Sequence, residues 1–157
     1  MTLLETREQF GLSQAAAASA AGVPLRTYIR YEGNNEYGDF LKRRGIIYSI
    51  VDKYEITEEK GVLTVKQITD KVHNVITEKY SGSVSFCYLF GSYAKGYATE
   101  KSDVDLCVAT DLTGLKFVGL IEKIHQELHK NVDLIKLSNA SNDLLQEIMK
   151  DGIKIYG

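Results

Sequence analysis

The segment from residue 84 to residue 109 constrains this 157-residue chain more than any other. Residues 84–90 are rich in apolar and aromatic side chains, a pattern typical of a mostly buried strand, and Gly91 ends the run. Asp103 and Asp105 stand two positions apart, directly before the apolar residues 106–109. The pattern predicts a strand, a glycine turn, a short helix and a second strand.

The turn and the two acids indicate a site for a phosphate and a metal ion. A Gly91-Ser92 step between strand and helix lets the backbone approach a ligand closely and directs N–H groups and a hydroxyl towards an anion. Because residues i and i+2 of a strand point to one face, the carboxylates of Asp103 and Asp105 can converge on one cation. Oxygen-only ligation suits Mg²⁺. The alternative is an ordinary strand–turn–strand, with Asp103 as a turn residue and Asp105 solvated.

Composition excludes several classes of protein. The net charge of −2 and the apolar content of 44% are ordinary for a globular chain and give no strongly basic surface overall. Cys87 and Cys107 follow no disulfide or zinc spacing, so we expect both to be reduced. No apolar run approaches the roughly 18 residues of a membrane span, and residues 1–7 lack a signal layout. We therefore expect a cytoplasmic protein with no membrane partner.

A known family carries the same motif. Gly91-Ser92, ten residues and then Asp103-Val104-Asp105 resemble the signature of the DNA polymerase β-like nucleotidyltransferases, and the residues around them are similar to the minimal nucleotidyltransferases. The resemblance implies that nucleotide contacts come from Gly91, Ser92, Lys95 and Ser102, and that Asp103 and Asp105 bind metal and act in catalysis. The family usually has arginine where this chain has Lys95, and lysine keeps the charge without the bidentate fork.

A third acid follows at Asp133. Residues 131–137 predict a third strand, which Asp133 enters after a long amphipathic helix. The resemblance implies that Asp133 completes the site, as a metal ligand or as the acceptor of a proton from the attacking hydroxyl. The alternative is a surface aspartate at the end of a strand.

The N-terminal residues predict a second module. Two short helices around Ala21-Gly22-Val23 indicate a helix-turn-helix, and this region resembles the Cro/repressor-type (XRE) family through residues 11–14, 20–23 and 27–33. The resemblance implies that Gln14 contacts the phosphate backbone and that Arg26, Thr27 and Arg30 face the major groove of operator DNA. Such modules commonly read palindromes as dimers, so a homodimer is also expected.

The charge of this region leaves a second interpretation open. Residues 1–60 hold eight Lys or Arg against nine Asp or Glu. Because phosphate contacts supply most nonspecific affinity for DNA, a helical protein-interaction module is the alternative. The basic run Lys42-Arg43-Arg44 is interpreted as a solvated face or a contact to a phosphate backbone.

We therefore predict an α+β chain with two domains. Residues 1–60 form an all-α helix-turn-helix domain, and residues 61–157 form a small nucleotidyltransferase-fold domain with a mixed sheet flanked by helices. The polar, acidic residues 55–61 are the expected linker.

The resemblance implies an enzyme that uses Mg²⁺ and takes ATP as its substrate. Nucleotidyltransferases of this size resemble the antitoxins of HEPN/nucleotidyltransferase toxin–antitoxin pairs, which adenylylate a tyrosine of the HEPN toxin. A Cro-like domain fits an antitoxin that represses its own operon. The alternatives are a DNA-binding regulator whose transferase domain only senses nucleotide, and a transferase that modifies small molecules such as antibiotics.

Overall fold

The computed structural model describes residues 1–157 and divides them into two compact units, Met1–Glu55 and Ile56–Gly157. The first unit consists of four helices: α1 (Leu3–Gln9), α2 (Gln14–Ala21), α3 (Leu25–Gly33) and α4 (Phe40–Tyr54). Helix α1 begins with a capping box, since Thr2 accepts from the Glu5 amide and the Glu5 carboxylate accepts from the Thr2 amide. Helix α2 ends at Gly22, whose φ of 66° needs glycine.

The alanine-rich helix α2 lies in the middle of the first unit. Its Ala17 and Ala18 are buried, and small side chains there let α3 and α4 approach closely. The rest of this core combines aliphatic and aromatic side chains from the other three helices: Leu3, Tyr28, Tyr31, Ile46 and Ile50.

Arg43 corrects the interpretation of the basic run in α4. Its side chain is buried, and its guanidinium donates to the backbone carbonyls of Tyr31, Asn34 and Tyr37. The guanidinium therefore closes the C-terminal end of α3 and the turn after it. Lys42 and Arg44 are exposed, so only these two members of the run face solvent.

The second unit has an α+β fold. Its elements are α5 (Val65–Lys79), β1 (Val84–Phe90), α6 (Gly91–Lys95), β2 (Val104–Thr110), α7 (Gly114–Leu128), β3 (Val132–Lys136), α8 (Asn142–Asp151) and β4 (Ile153–Tyr156). The strands form one sheet in the order β3-β2-β1-β4, with β2 and β3 parallel and the other two pairs antiparallel. The mixed sheet flanked by helices is thus confirmed.

The two faces of this sheet differ. Alternate residues of β2, Val104, Leu106 and Val108, belong to the main core together with apolar residues of α5 and α7. Cys107 points the other way and packs with Phe90 of β1 and Ile148 of α8. Because side chains alternate along a strand, Asp105 lies on the α8 face with Cys107.

The segment predicted as a linker is folded into the second unit from Ile56 onwards. Thr57 and Lys60 form an isolated antiparallel bridge, and the Gly61 amide donates to the carboxylate of Glu100 at 3.2 Å. None of the eight α-helices combines the length and the apolar character that a bilayer span requires.

Candidate active site

The glycine turn after β1 lies directly against a carboxylate. Gly91 has a φ of 72°, a conformation that glycine adopts without strain. A Cβ placed on Gly91 would overlap Oδ2 of Asp105 and lie 3.0 Å from its Cγ. The missing side chain is thus what allows β1, α6 and the Asp105 carboxylate to meet. Ser92 follows in the first turn of α6 and is partly exposed.

Asp105 and Asp133 are neighbours across the sheet. They lie opposite each other in the parallel register of β2 and β3, where adjacent strands are about 4.8 Å apart. Asp103 is exposed and precedes β2 by one residue. The three predicted carboxylates therefore come from one loop and two adjacent strands at the same end of the sheet.

Electrostatic repulsion between these acids is visible at Asp105. Burial first, and then the negative charges of Asp133, Asp103 and Glu147, raise the pKa of Asp105 to about 6. The ionised carboxylates destabilise one another, and a cation between them would relieve that repulsion.

The donor set fits a magnesium ion that is shared with a substrate. No three His, Cys, Asp or Glu side chains are arranged as a closed metal-binding cluster. The available groups are carboxylates only, and Mg²⁺ typically takes one or two carboxylates, waters and the phosphates of a nucleotide. Asp105 with Asp133 or Asp103 meets that requirement.

Two of the predicted nucleotide contacts have partners within the protein. The Nζ of Lys95 lies 2.6 Å from Oε1 of Glu147 on α8, which raises the pKa of Lys95. The hydroxyl of Ser102 accepts a hydrogen bond of 2.8 Å from the Thr99 amide and shapes the loop before Asp103. The structure therefore pairs Lys95 with Glu147 and places Ser102 in a turn, and a nucleotide role for either stays a prediction.

Two charged residues near the site were not identified from the sequence. Glu147 lies on the amphipathic helix α8, and nothing in its local sequence distinguishes it from a solvated acid. Lys130, in the segment that connects α7 to β3, is fully buried. Its Nζ donates to backbone carbonyls, and the shortest of these hydrogen bonds, at 2.6 Å, is to the carbonyl oxygen of Glu100. Lysine is almost never fully buried, so its burial had no sequence signal.

The predicted DNA contacts lie on α2 and α3. Arg26 and Arg30 are exposed one helical turn apart on α3, beside Leu25 and Ile29, which are also exposed. Gln14 is partly buried, and its side-chain amide lies 3.4 Å from a carboxylate oxygen of Glu32.

Glu32 is held mainly by Arg7. Both carboxylate oxygens of Glu32 accept from the Arg7 guanidinium, at 2.9 and 2.8 Å. The Gln14 amide therefore lies at the edge of an internal polar cluster. Thr27 is partly exposed between the two arginines of α3, so among the predicted DNA contacts those on α3 have the more accessible side chains.

Comparison with known proteins identifies the second unit. The family described as "Polymerase beta, Nucleotidyltransferase" matches residues 70–157, more than half of the chain. The match includes β1, the glycine turn, the three acids and α8.

Two curated relatives share this region. The protein adenylyltransferase MntA of Shewanella oneidensis is 36% identical over 72 residues, which is 45% of this chain and 52% of MntA. The chain thus matches only about half the length of that relative. A Methanocaldococcus jannaschii protein named "Putative protein adenylyltransferase" is 31% identical over 98 residues, which is 60% of this chain and 96% of that protein.

Among solved structures, a crystal structure of a toxin–antitoxin with AMP-PNP superposes with a TM-score of 0.51 at 28% identity. The superposition covers 57% of this chain and 73% of that one. The similarity therefore extends from sequence to fold over the second unit.

Proposed function

This chain belongs to the polymerase beta nucleotidyltransferase family, and we propose that it transfers AMP from Mg²⁺-bound ATP to a hydroxyl of a partner protein. The observation that carries the proposal is the placement of Asp105 opposite Asp133 and against Gly91. The names of the two relatives, both adenylyltransferases, support the choice of AMP, and the AMP-PNP complex supports an adenine nucleotide.

The chain's own residues would bind and orient the reactants. The Gly91 turn leaves space for phosphate oxygens close to the backbone, and Ser92 adds a hydroxyl there. Asp103, Asp105 and Asp133 would hold the metal, which supplies charge neutralisation at the reacting phosphate. Lys95 would exchange its pairing with Glu147 for a phosphate oxygen, and Ser102 would keep the loop of Asp103 in place.

The transfer is an in-line substitution at phosphorus. The acceptor oxygen forms a bond to the α-phosphorus, the bond from that phosphorus to the oxygen bridging to the β-phosphorus breaks, and pyrophosphate leaves. The acceptor proton passes to the carboxylate of Asp133, which is exposed and can reach an incoming group. Apart from this proton transfer, the protein contributes positioning and charge neutralisation.

The partner that we propose is a HEPN-type toxin, modified on a tyrosine. Both the resemblance of the motif and the toxin–antitoxin neighbour support this choice. The experiment is to co-express the chain with the protein encoded beside it and to measure the intact mass of that partner. Whole AMP units should appear with wild type and be absent with Asp103→Asn and Asp105→Asn.

Asp111→Asn is the matched control, since Asp111 is exposed after β2 at the opposite end of that strand. Transfer that persists in Asp105→Asn would contradict the assignment of the site. An unmodified partner in a stable complex would instead favour the regulator that senses nucleotide, and AMP on a small hydroxylated compound would favour the small-molecule transferase.

We also propose that the first unit binds operator DNA through α3, as a dimer on a palindrome. The exposed face of α3 supports this. Its arginines can donate hydrogen bonds to base edges, and the aliphatic side chains beside them can contact the methyl groups of thymine. Arg30→Ala should weaken binding to the upstream DNA more than Lys42→Ala, an exposed basic residue on α4. Equal effects in fluorescence anisotropy across a salt series would contradict a specific role of α3.

A further inference from the structure

Lys130 is a buried charge that the proposed chemistry does not use. The side chain has no exposed surface, and its Nζ donates to the carbonyl oxygens of Glu100 at 2.6 Å, Lys60 at 3.4 Å and Glu58 at 3.5 Å. An ammonium group has three donors, so these three carbonyls use its hydrogen-bonding capacity in full. The three acceptors belong to two segments that are remote from Lys130 in the sequence.

No carboxylate is hydrogen-bonded to this ammonium. The side chain of Glu58 faces His125, with Oε1 at 2.8 Å from Nε2, and the side chain of Glu100 accepts from the Gly61 amide. Burying a charge without a direct counter-ion is unfavourable, and an apolar side chain of similar length would fill the same space without that penalty. The presence of a buried lysine at this position is therefore best explained by the backbone segments that its hydrogen bonds hold in place.

That geometry surrounds Asp103. Glu100, whose carbonyl binds Lys130, lies three residues before Asp103, and the amide of Val104, directly after it, donates to the carbonyl of Asn131 at 2.8 Å. Residues 130 and 131 thus hold the chain on both sides of one carboxylate. The Thr99–Ser102 turn, which contains Glu100, adds three hydrogen bonds of its own, at 2.8, 3.1 and 3.3 Å.

The same segment leads into β3. Asp133 lies two residues after Asn131 and is in register with Asp105. The loop of Asp103 and the strand of Asp133 are consequently attached to one short stretch of backbone. We expect a change at Lys130 to loosen the loop at Glu100 and to leave the β2–β3 register in place.

We propose that Lys130 is a positioning residue, which fixes the loop of Asp103 so that this carboxylate meets those of Asp105 and Asp133 at a shared divalent cation. The inference rests on the proposed function, since it assumes that these three acids bind the metal. Residues that orient metal ligands typically contribute 10- to 100-fold to metal affinity, so Lys130→Met should weaken cation binding by about tenfold or more.

The test uses Mn²⁺ as a spectroscopic probe, with binding to the full chain measured by electron paramagnetic resonance in the presence of AMP-PNP. Lys130→Met removes the donors at similar length, and Lys130→Gln supplies two N–H donors on a slightly shorter side chain and should fall between Met and wild type. Lys123→Met on α7 is the control, because Lys123 is partly exposed and pairs only with Glu127. Circular dichroism melting reports the fold of each variant.

A double-mutant cycle separates positioning from general destabilisation. If Lys130 acts through Asp103, Lys130→Met should weaken Mn²⁺ binding in wild type but add little in an Asp103→Asn background. A folded Lys130→Met chain with wild-type affinity, or a full additional loss in that background, overturns the inference. Failure of both Lys130 variants to fold would show a purely structural role and overturn it as well.

The same measurements test the proposed metal site independently of the inference about Lys130. If Asp103→Asn and Asp105→Asn leave Mn²⁺ affinity unchanged, the metal site itself is wrong, whatever Lys130 does. If those variants weaken binding and folded Lys130→Met does not, only the inference about Lys130 is overturned.

Discussion

Asp105 and Asp133 face each other in register across the only parallel strand pair of the sheet. Each acid alone would be an ordinary polar residue near the end of a strand. Side by side, and with Asp103 one residue before β2, they concentrate negative charge at one end of the sheet. Gly91 lies against the carboxylate of Asp105, so a turn that can bind phosphate and a group that can bind a cation are adjacent there.

Gly91→Ala should strongly reduce the proposed AMP transfer. The new Cβ would overlap Oδ2 of Asp105, and the φ of 72° would be strained. Displacing the carboxylate by about 1 Å should reduce kcat/KM on the order of 100-fold. Steady-state AMP transfer measures the effect.

Gly114→Ala is the control for this variant. Gly114 has a φ of 57°, but no other atom lies within 4 Å of the position that its Cβ would take, so this variant carries the backbone strain without the clash. We expect a stability loss of about 1 kcal/mol with near-wild-type transfer. Equal losses of activity in both variants would show that strain, and not contact with Asp105, is responsible.

Glu147→Gln should strengthen ATP binding. Glu147 holds the Nζ of Lys95 at 2.6 Å and adds to the negative charge around Asp105. Without that carboxylate, Lys95 is free for a phosphate oxygen, and KM for ATP should fall a few-fold, in keeping with a partly exposed ion pair. Lys95→Met should raise KM for ATP.

Glu122→Gln serves as the control for Glu147→Gln, because Glu122 is exposed on α7. If Glu147→Gln raised KM for ATP as Lys95→Met does, the ion pair would be holding Lys95 in its working position rather than competing with the nucleotide.

Stability should depend on pH through Asp105. Its pKa is about 6 in the folded chain and near 3.9 in an unfolded one, so between these values the folded state binds a proton that the unfolded state has released. The contribution of Asp105 therefore becomes unfavourable as pH rises from about 4 to above 6, and it vanishes below pH 4. Asp105→Asn should stabilise the metal-free protein at pH 8 and be near neutral at pH 4.

Urea denaturation at the two pH values, with and without Mg²⁺, measures this difference. Mg²⁺ should stabilise wild type at pH 8 more than it stabilises Asp105→Asn, because the ion relieves the same repulsion. An equal change in unfolding free energy at pH 4 and pH 8 would contradict the raised pKa.

Local patterns were sufficient to predict the turn and the strands of the candidate site. The Gly91-Ser92 step, the spacing of Asp103 and Asp105 and the strand around Asp133 depend on residues close in sequence, and the structure has the corresponding turn and strands. The capping boxes at the start of α1 and of α5 likewise depend only on residues three positions apart.

The buried basic residues could not be predicted in this way. Lys130 bonds to carbonyls 30 to 72 positions away, and Arg43 bonds to carbonyls that only the turn after α3 brings together. Each depends on backbone groups that become neighbours after folding. Sequence rules treat both residues as solvated, since that is where most lysines and arginines lie.

The ion pair between Arg7 and Glu32 should stabilise the first unit. Arg7 donates to both carboxylate oxygens and lowers the pKa of Glu32, whose side chain is only 7% exposed. A lowered carboxyl pKa gives stability that is present above the unfolded value, near 4.3, and is lost as pH falls through the folded value. Glu32→Gln should cost about 2 kcal/mol at pH 7 and less at pH 3.

Hydrogen exchange of α1 to α3, followed by mass spectrometry, would locate this loss in the first unit. Asp70→Asn on α5 is the matched control, because Asp70 pairs with Lys66 at 2.7 Å but both side chains are largely exposed. Exposed pairs of that kind contribute less than about 1 kcal/mol. If Glu32→Gln destabilised the chain equally at pH 3 and pH 7, the loss would come from packing, and the charge of Glu32 would have no part in it.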